Sequence, residues 1–191
     1  MNIILDLDNT LICAVEMYYY DMHKEEMKFL DDNLEHVDMD TSYRIYSRPH
    51  MAEFIQFLAR HFNVSVFTAA SKDYALFIIE NIIKKAVPDL PIDFIFHSYH
   101  TELSYKYYDS PKDLRLLWDK FPTSFTPENT FIVDDLPDVK NANGFNCINV
   151  KAFEVVDEEE EDDSAKVVIK DCIDDNELLG VQEMLKLFIE D

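Results

Sequence analysis

The chain has 191 residues and a formal net charge of −22, from 17 Lys and Arg against 39 Asp and Glu. Hydrophobic residues make up 48% of it, which excludes compositional disorder and is enough for one domain with a hydrophobic core. The acidity argues against a nucleic-acid binder, because a basic footprint is missing, and it would repel a phosphorylated substrate unless a metal and a lysine offset it. Cys13, Cys147 and Cys172 form no CxxC pair, so a zinc knot is not expected, and so low a count fits a reducing, intracellular setting. The opening MNIILDLDNTL meets an acid at its sixth residue without a basic region before it, unlike a signal peptide. No apolar run approaches the roughly 20 residues that span a bilayer, so no membrane association is expected.

Residues 2–7 read as a buried strand running into Asp6-Leu7-Asp8-Asn9-Thr10. Residues 14–47 show no long periodicity and read as a small insertion of short strands or a hairpin, with a helical turn near Glu25–Leu30. Arg48-Pro49-His50 opens a helix whose apolar stripe is Met51, Phe54, Ile55 and Leu58. Residues 63–68 form the next strand, and a helix from Ser71 or Lys72 buries Tyr74, Phe77, Ile78 and Ile82. Ile92–His97 is a strand, and His97–Tyr108 reads as a surface loop. Ser110 is expected to cap a helix, with Pro111 in its first position and Asp113 completing a capping box. Phe131-Ile132-Val133 is a buried strand ending in Asp134-Asp135, and 147–150 is the last strand of the sheet. An acidic loop over about 154–163, an edge strand at 166–169 and a closing helix over about 175–190 complete the chain. The alternation gives an α/β fold: one domain over 1–191, with a mostly parallel sheet and functional residues at the strands' carboxyl ends.

Those ends carry the chemistry. Asp6 and Asp8 follow the first strand, Thr68 the second, and Asp134 and Asp135 the strand at 131–133. Carboxylates gathered there without a counter-charge are costly, and Mg²⁺, a hard cation that prefers oxygen ligands, would relieve the cost. Lys112, in the first turn of its expected helix, opposes the helix dipole unless an anion binds there; on position alone a solvent-exposed lysine tolerated at small cost is the slightly better account.

Asp6-Leu7-Asp8-Asn9-Thr10-Leu11 resembles the first motif of the haloacid-dehalogenase-like phosphatases. Arg48-Pro49-His50 with Phe54 and Leu58, Val66-Phe67-Thr68-Ala69 with Tyr74-Ala75, Lys112-Asp113-Leu114 and Ile132-Val133-Asp134-Asp135 resemble one branch of them. That branch holds the phosphatases of the RNA polymerase II C-terminal domain and their small relatives, and the resemblance spans about residues 2–150. It implies a Rossmann-like fold with helices on both sheet faces and a small insertion in place of a large cap. It implies Asp6 as nucleophile, Asp8 as general acid and then base, Thr68 and Ala69 with Lys112 around the phosphate, and Mg²⁺ held by Asp6, the Asp8 carbonyl, Asp134 and Asp135. Some relatives carry a second small hydroxyl residue where Ala70 stands, and relatives often carry Ser-Pro where Leu136-Pro137 stands. The segment 94–108 is also less like the small relatives' substrate-contacting region.

The resemblance implies a phosphoserine or phosphothreonine in a protein or peptide as the substrate. The compartment would be nucleus or cytoplasm in a eukaryote, and the host-cell interior for a virus. Tyr18, Tyr20 and Tyr105 are candidates for flanking a substrate peptide, and Tyr18 and Tyr20 fit packing of an amphipathic hairpin equally. A small-molecule or nucleic-acid-end phosphatase, a phosphotransferase and a binding protein that lost the chemistry are the rivals, and oligomeric state is not legible.

Overall fold

The computed structural model describes residues 1–156 and 172–189. Strand β1 (Asn2–Leu5) is buried along its whole length because it lies at the centre of a five-stranded sheet. The order is β6-β5-β1-β7-β8, with β5 (Asn63–Phe67), β6 (Ile92–Phe96), β7 (Thr130–Asp134) and β8 (Cys147–Asn149) all paired in parallel. Side chains alternate across this sheet. Ile3 and Leu5 face one core, with residues of α3 (Met51–His61), α4 (Lys72–Ile78), the short α5 (Lys84–Ala86) and α9 (Glu177–Lys186). Ile4 and Ile132 face the other, with Leu116 and Leu117 of α7 (Arg115–Trp118) and Val139 of α8 (Pro137–Asn143). The expected Rossmann-like sheet with helices on both faces is the observed one. No helix of the described residues is long and apolar enough to cross a membrane.

Between β1 and α3 lies the insertion, a three-stranded antiparallel sheet ordered β2-β4-β3, from β2 (Ile12–Glu16), β3 (His36–Met39) and β4 (Tyr43–Ser47). It contains the expected hairpin strands, but more helix than a single turn: α1 (Met17–Met22) and α2 (Lys24–Asn33). A small separate core forms here from Val15, Tyr20, Met27, Leu30 and Tyr46, with Phe153 and Val155 packed in.

Two expectations fail. Residues His97–Tyr108 are not a surface loop; α6 (Ser98–Tyr108) occupies them. The segment is polar and aromatic with few aliphatic residues, so it shows no apolar stripe to betray a helix. No helix starts at Ser110 either. Lys112 adopts φ 45°, a left-handed conformation that interrupts any helix, and α7 begins only at Arg115, whose N–H is taken by the Asp113 carboxylate at 2.9 Å. The closing helix is shorter than expected, Glu177–Lys186. Of the acidic loop only 154–156 are described, and Val155 and Val156 are buried; the run 157–163 and the expected strand at 166–169 lie outside the described residues.

Candidate active site

The β1 ladder continues one residue past the strand, where Asp6 N–H reaches the Val133 carbonyl at 3.0 Å. The chain then folds on itself. The Leu7 carbonyl accepts from the N–H groups of Thr10, Leu11 and Ile12 at 3.3, 2.8 and 3.2 Å. Asn9 takes φ 58°, a left-handed geometry that asparagine tolerates better than most residues, and its carbonyl accepts Phe153 N–H at 2.6 Å. This loop gives Asp6 and Asp8 different partners although they are only two residues apart. Asp6 Oδ1 meets Lys112 Nζ at 2.6 Å, while Asp8 Oδ1 accepts the Tyr74 hydroxyl at 2.6 Å.

Lys112 is 1% exposed and also donates to Asp134 Oδ2 at 2.7 Å, so one ammonium serves the ends of β1 and β7. It is not the solvent-exposed helix residue that its sequence position allowed. Its left-handed turn is held by two polar side chains. Ser104 of α6 accepts Asp113 N–H at 2.8 Å and donates to the Ser110 carbonyl at 2.7 Å. Asn143 of α8 donates to the Lys112 carbonyl at 3.1 Å and accepts Leu114 N–H at 2.8 Å.

Asp134 is fully buried, and its second oxygen accepts Leu136 N–H at 2.9 Å. Asn149 fixes the backbone below it, donating to the carbonyls of Asp134 and Asp135 at 3.0 Å each. The Thr10 hydroxyl lies 3.4 Å from Asp6 Oδ2 and 3.3 Å from Asp135 Oδ1, and its single proton can serve one at a time. Thr68, 1% exposed, follows β5 at the same sheet edge; its hydroxyl accepts Ala70 N–H at 3.0 Å and its carbonyl accepts the Thr101 hydroxyl. Ala69 lies between them and offers only its backbone.

One ligand oxygen from each of Asp6, Asp134 and Asp135 lies within 4.8 Å of the others. Burial pushes the Asp134 carboxyl up to about 7, and the charge of Asp6 adds to this against the pull of Lys112. Asp135 is raised too, by burial first and Asp6 second. Burial alone would lower Lys112, but Asp6 and Asp134 overcome it and hold the ammonium charged. Three clustered carboxylates against one lysine leave an excess of negative charge that a hard divalent cation fits, and the donor set is all oxygen.

Asp8 is raised by burial, with Asp6 adding to the effect and the Tyr74 hydrogen bond opposing it. Sequence reasoning placed Tyr74 on a buried helix face and missed this contact, since the two residues come from separate motifs.

The three tyrosines fare differently. Tyr18 is exposed on α1 and Tyr105 on α6. Tyr20 is a correction: it is 4% exposed, its hydroxyl donates to Asp31 at 2.7 Å, and the Arg44 guanidinium lies 4.0 Å from its ring centroid. It packs inside the insertion and has no free face for a peptide. Asp31 also takes Tyr46 and Arg44, so the insertion has a polar network of its own.

A parallel sheet with an acidic cluster, a buried lysine and a threonine at its carboxyl edge defines a haloacid-dehalogenase-like phosphatase. Residues 1–189 match the family of NLI interacting factor-like phosphatases, and the chain belongs to that family. It is 38% identical over 176 residues to the CTD phosphatase-like protein 355R of Invertebrate iridescent virus 6, which covers 90% of this chain and 96% of that protein. Its counterpart in Invertebrate iridescent virus 3 is 37% identical over 191 residues, 97% of this chain and 95% of the relative. Among solved structures, Fcp1, an essential RNA polymerase II CTD phosphatase, superposes with a TM-score of 0.68 at 18% identity. The match covers 97% of this chain but 61% of that one. Fission yeast Fcp1 bound to beryllium fluoride gives 0.58 at 18% identity, covering 96% of this chain and 51% of the other. Both likenesses concern the fold. The chain is thus a phosphatase with a divalent-metal cluster.

Proposed function

We propose that this phosphatase removes phosphate from phosphoserine or phosphothreonine in an extended protein segment, through a phosphoaspartate on Asp6. The observation that carries this reading is the unequal setting of two carboxylates on one loop: Asp6 on the Lys112 ammonium and Asp8 on the Tyr74 hydroxyl. The carboxylate held against the Lys112 ammonium is placed to attack phosphorus, whereas the buried one with a raised pKa can carry a proton to the leaving oxygen. Lys112 and the Thr68 hydroxyl would hold phosphoryl oxygens, with Ala69 offering its backbone N–H. Mg²⁺ would be held by Asp6, Asp134 and Asp135 together with the Asp8 carbonyl, and when bound it would supply charge to polarise the phosphoryl group. Thr10 and Asn149 keep the surrounding loops in place.

The protein substrate is supported by the names of the relatives, which are phosphatases of a polymerase tail or like them. It is also supported by the modest insertion, which carries its own core and is no large lid. A site without such a lid admits a side chain still attached to a chain. With a net charge of −22, substrates with neutral or basic flanks should be preferred over acidic ones. The test is kcat/KM over matched phosphoserine, phosphothreonine and phosphotyrosine peptides with basic, neutral and acidic flanks, beside sugar phosphates and nucleotides, at fixed ionic strength. A preference for the free metabolites would overturn the protein substrate. Equal rates on phosphotyrosine would overturn the residue preference.

A further inference from the structure

We infer that Tyr74 is a positioning residue for Asp8: its hydroxyl occupies Asp8 Oδ1 and so reserves Oδ2 for the proton that passes to and from the reacting oxygens. The inference rests on the reading of Asp8 as acid and base.

Local structure fixes the tyrosine independently of the aspartate. Ser71 caps α4, its hydroxyl accepting Tyr74 N–H at 3.3 Å, which sets Tyr74 in the first helical turn. The ring is braced edge-on by Tyr43 of β4, centroid to centroid 5.8 Å at 83°. In the contact with Asp8 the Tyr74 hydroxyl is the donor and the carboxylate the acceptor. Its hydrogen bond of 2.6 Å reaches a carboxylate that would otherwise turn about its terminal bond. A freely turning carboxyl presents its proton to the leaving group only part of the time. A pinned one presents the same oxygen throughout, as a pre-oriented catalytic group requires.

Asp6 forms a bond to phosphorus, and the bond from phosphorus to the ester oxygen breaks. The electron pair stays on that oxygen, which takes the proton from Asp8 Oδ2. Water then attacks phosphorus, giving its proton to the same Oδ2. The bond from phosphorus to Asp6 breaks, and the pair returns to the carboxylate. Tyr74 exchanges no proton in either step.

The value of the proton transfer grows with the basicity of the leaving oxygen. The test therefore compares kcat/KM, which reports the steps through release of the alcohol, over a series of phosphate esters from 4-nitrophenyl phosphate to a phosphoserine peptide. Tyr74→Phe keeps the ring against Tyr43 and removes only the hydroxyl. Its loss should be at least tenfold greater on the phosphoserine peptide than on 4-nitrophenyl phosphate. Because this is a ratio within one preparation, any fraction of misfolded protein cancels. Asp8→Asn is run beside it and should show the same dependence more steeply. A loss in Tyr74→Phe that is uniform over the series, or no loss, while Asp8→Asn stays steep, overturns the role of Tyr74 alone. A flat series in Asp8→Asn overturns the reading of Asp8 and the positioning role with it.

Discussion

Arg48 and Asp175 stand 127 positions apart and hold each other through two hydrogen bonds, of 2.8 and 2.9 Å. The Arg48 side chain is fully buried, and it also donates to the carbonyls of Thr10 and Lys151 at 3.0 and 2.9 Å. Thr10 turns its hydroxyl toward Asp6 and Asp135, so the carboxyl-terminal segment reaches the acidic cluster through one guanidinium. Asp175→Ala strands that cation in the interior, which costs about 3–5 kcal/mol. We expect a lower urea midpoint and reduced phosphatase activity. The double variant Arg48→Met with Asp175→Leu should be less destabilised than Asp175→Ala. An unchanged midpoint in Asp175→Ala would count against the clamp.

The same pair predicts a pH dependence. Burial alone would raise the Asp175 carboxyl, but the hydrogen bonds and charge of Arg48 overcome it and hold the group below its ordinary value of 3.8. A depressed carboxyl contributes stability above its unfolded value and loses it as pH falls through the folded one. The stability gap between wild type and Asp175→Asn should therefore be constant from neutrality to about pH 5 and shrink below about pH 4. Urea titrations at stepped pH measure it. A gap that widens on acidification would contradict the assignment.

Much of the candidate site was legible because it sits where apolar strands stop. Leu5, Phe67 and Val133 are buried strand residues, and the first polar residue at or after each strand end is Asp6, Thr68 or Asp134. What failed depends on partners distant in sequence. The left-handed turn of Lys112 is stabilised by Asn143, 31 residues on, and the Ser104 contact to Asp113 spans nine. The Tyr74 bond to Asp8 spans 66. Helical spacing reports which face is apolar, and these are polar contacts made by buried side chains, so no periodicity marks them.

Divalent metal should stabilise the folded protein as well as activate it. A ligand that binds only the folded state adds about 2.7 kcal/mol at a hundred times its Kd, or roughly 5–10 °C for a chain of this size. Differential scanning fluorimetry with Mg²⁺ should show that rise in wild type, and Asp134→Asn should lose most of it. Phosphate release should stop on chelation and return with Mg²⁺. Full turnover by exhaustively chelated protein would refute the requirement.

Asp6→Asn separates chemistry from folding. The amide cannot attack phosphorus, so turnover should fall by about a thousandfold or more. Metal-free stability should be equal or higher, because one of the clustered carboxylates is gone while Lys112 keeps Asp134. Phosphate release near the wild-type rate would remove Asp6 as the nucleophile.

The last prediction concerns Asn143, which never approaches substrate in the proposed chemistry. It is 7% exposed and completes hydrogen bonds with the Lys112 carbonyl, the Leu114 N–H and the Val139 carbonyl, the last at 3.0 Å. Lys112 is left-handed, a conformation that costs a non-glycine residue about 1–2 kcal/mol and persists only where its surroundings enforce it. Asn143→Ala leaves the Lys112 carbonyl and Leu114 N–H without this partner, at about 1–3 kcal/mol for each buried group. The turn should then relax and draw the ammonium away from Asp6 and Asp134. We expect a stability loss of about 2–4 kcal/mol in urea and a fall in kcat/KM of at least about tenfold, since a displaced charge of this kind is worth more than 1.4 kcal/mol in a buried site. Asn143→Asp retains the acceptor for Leu114 N–H but sets a buried carboxylate oxygen against the Lys112 and Val139 carbonyls, so it should recover neither the stability nor the rate. Full activity in Asn143→Ala, with only the stability lowered, would mean that Ser104 and the paired aspartates hold Lys112 in place without it.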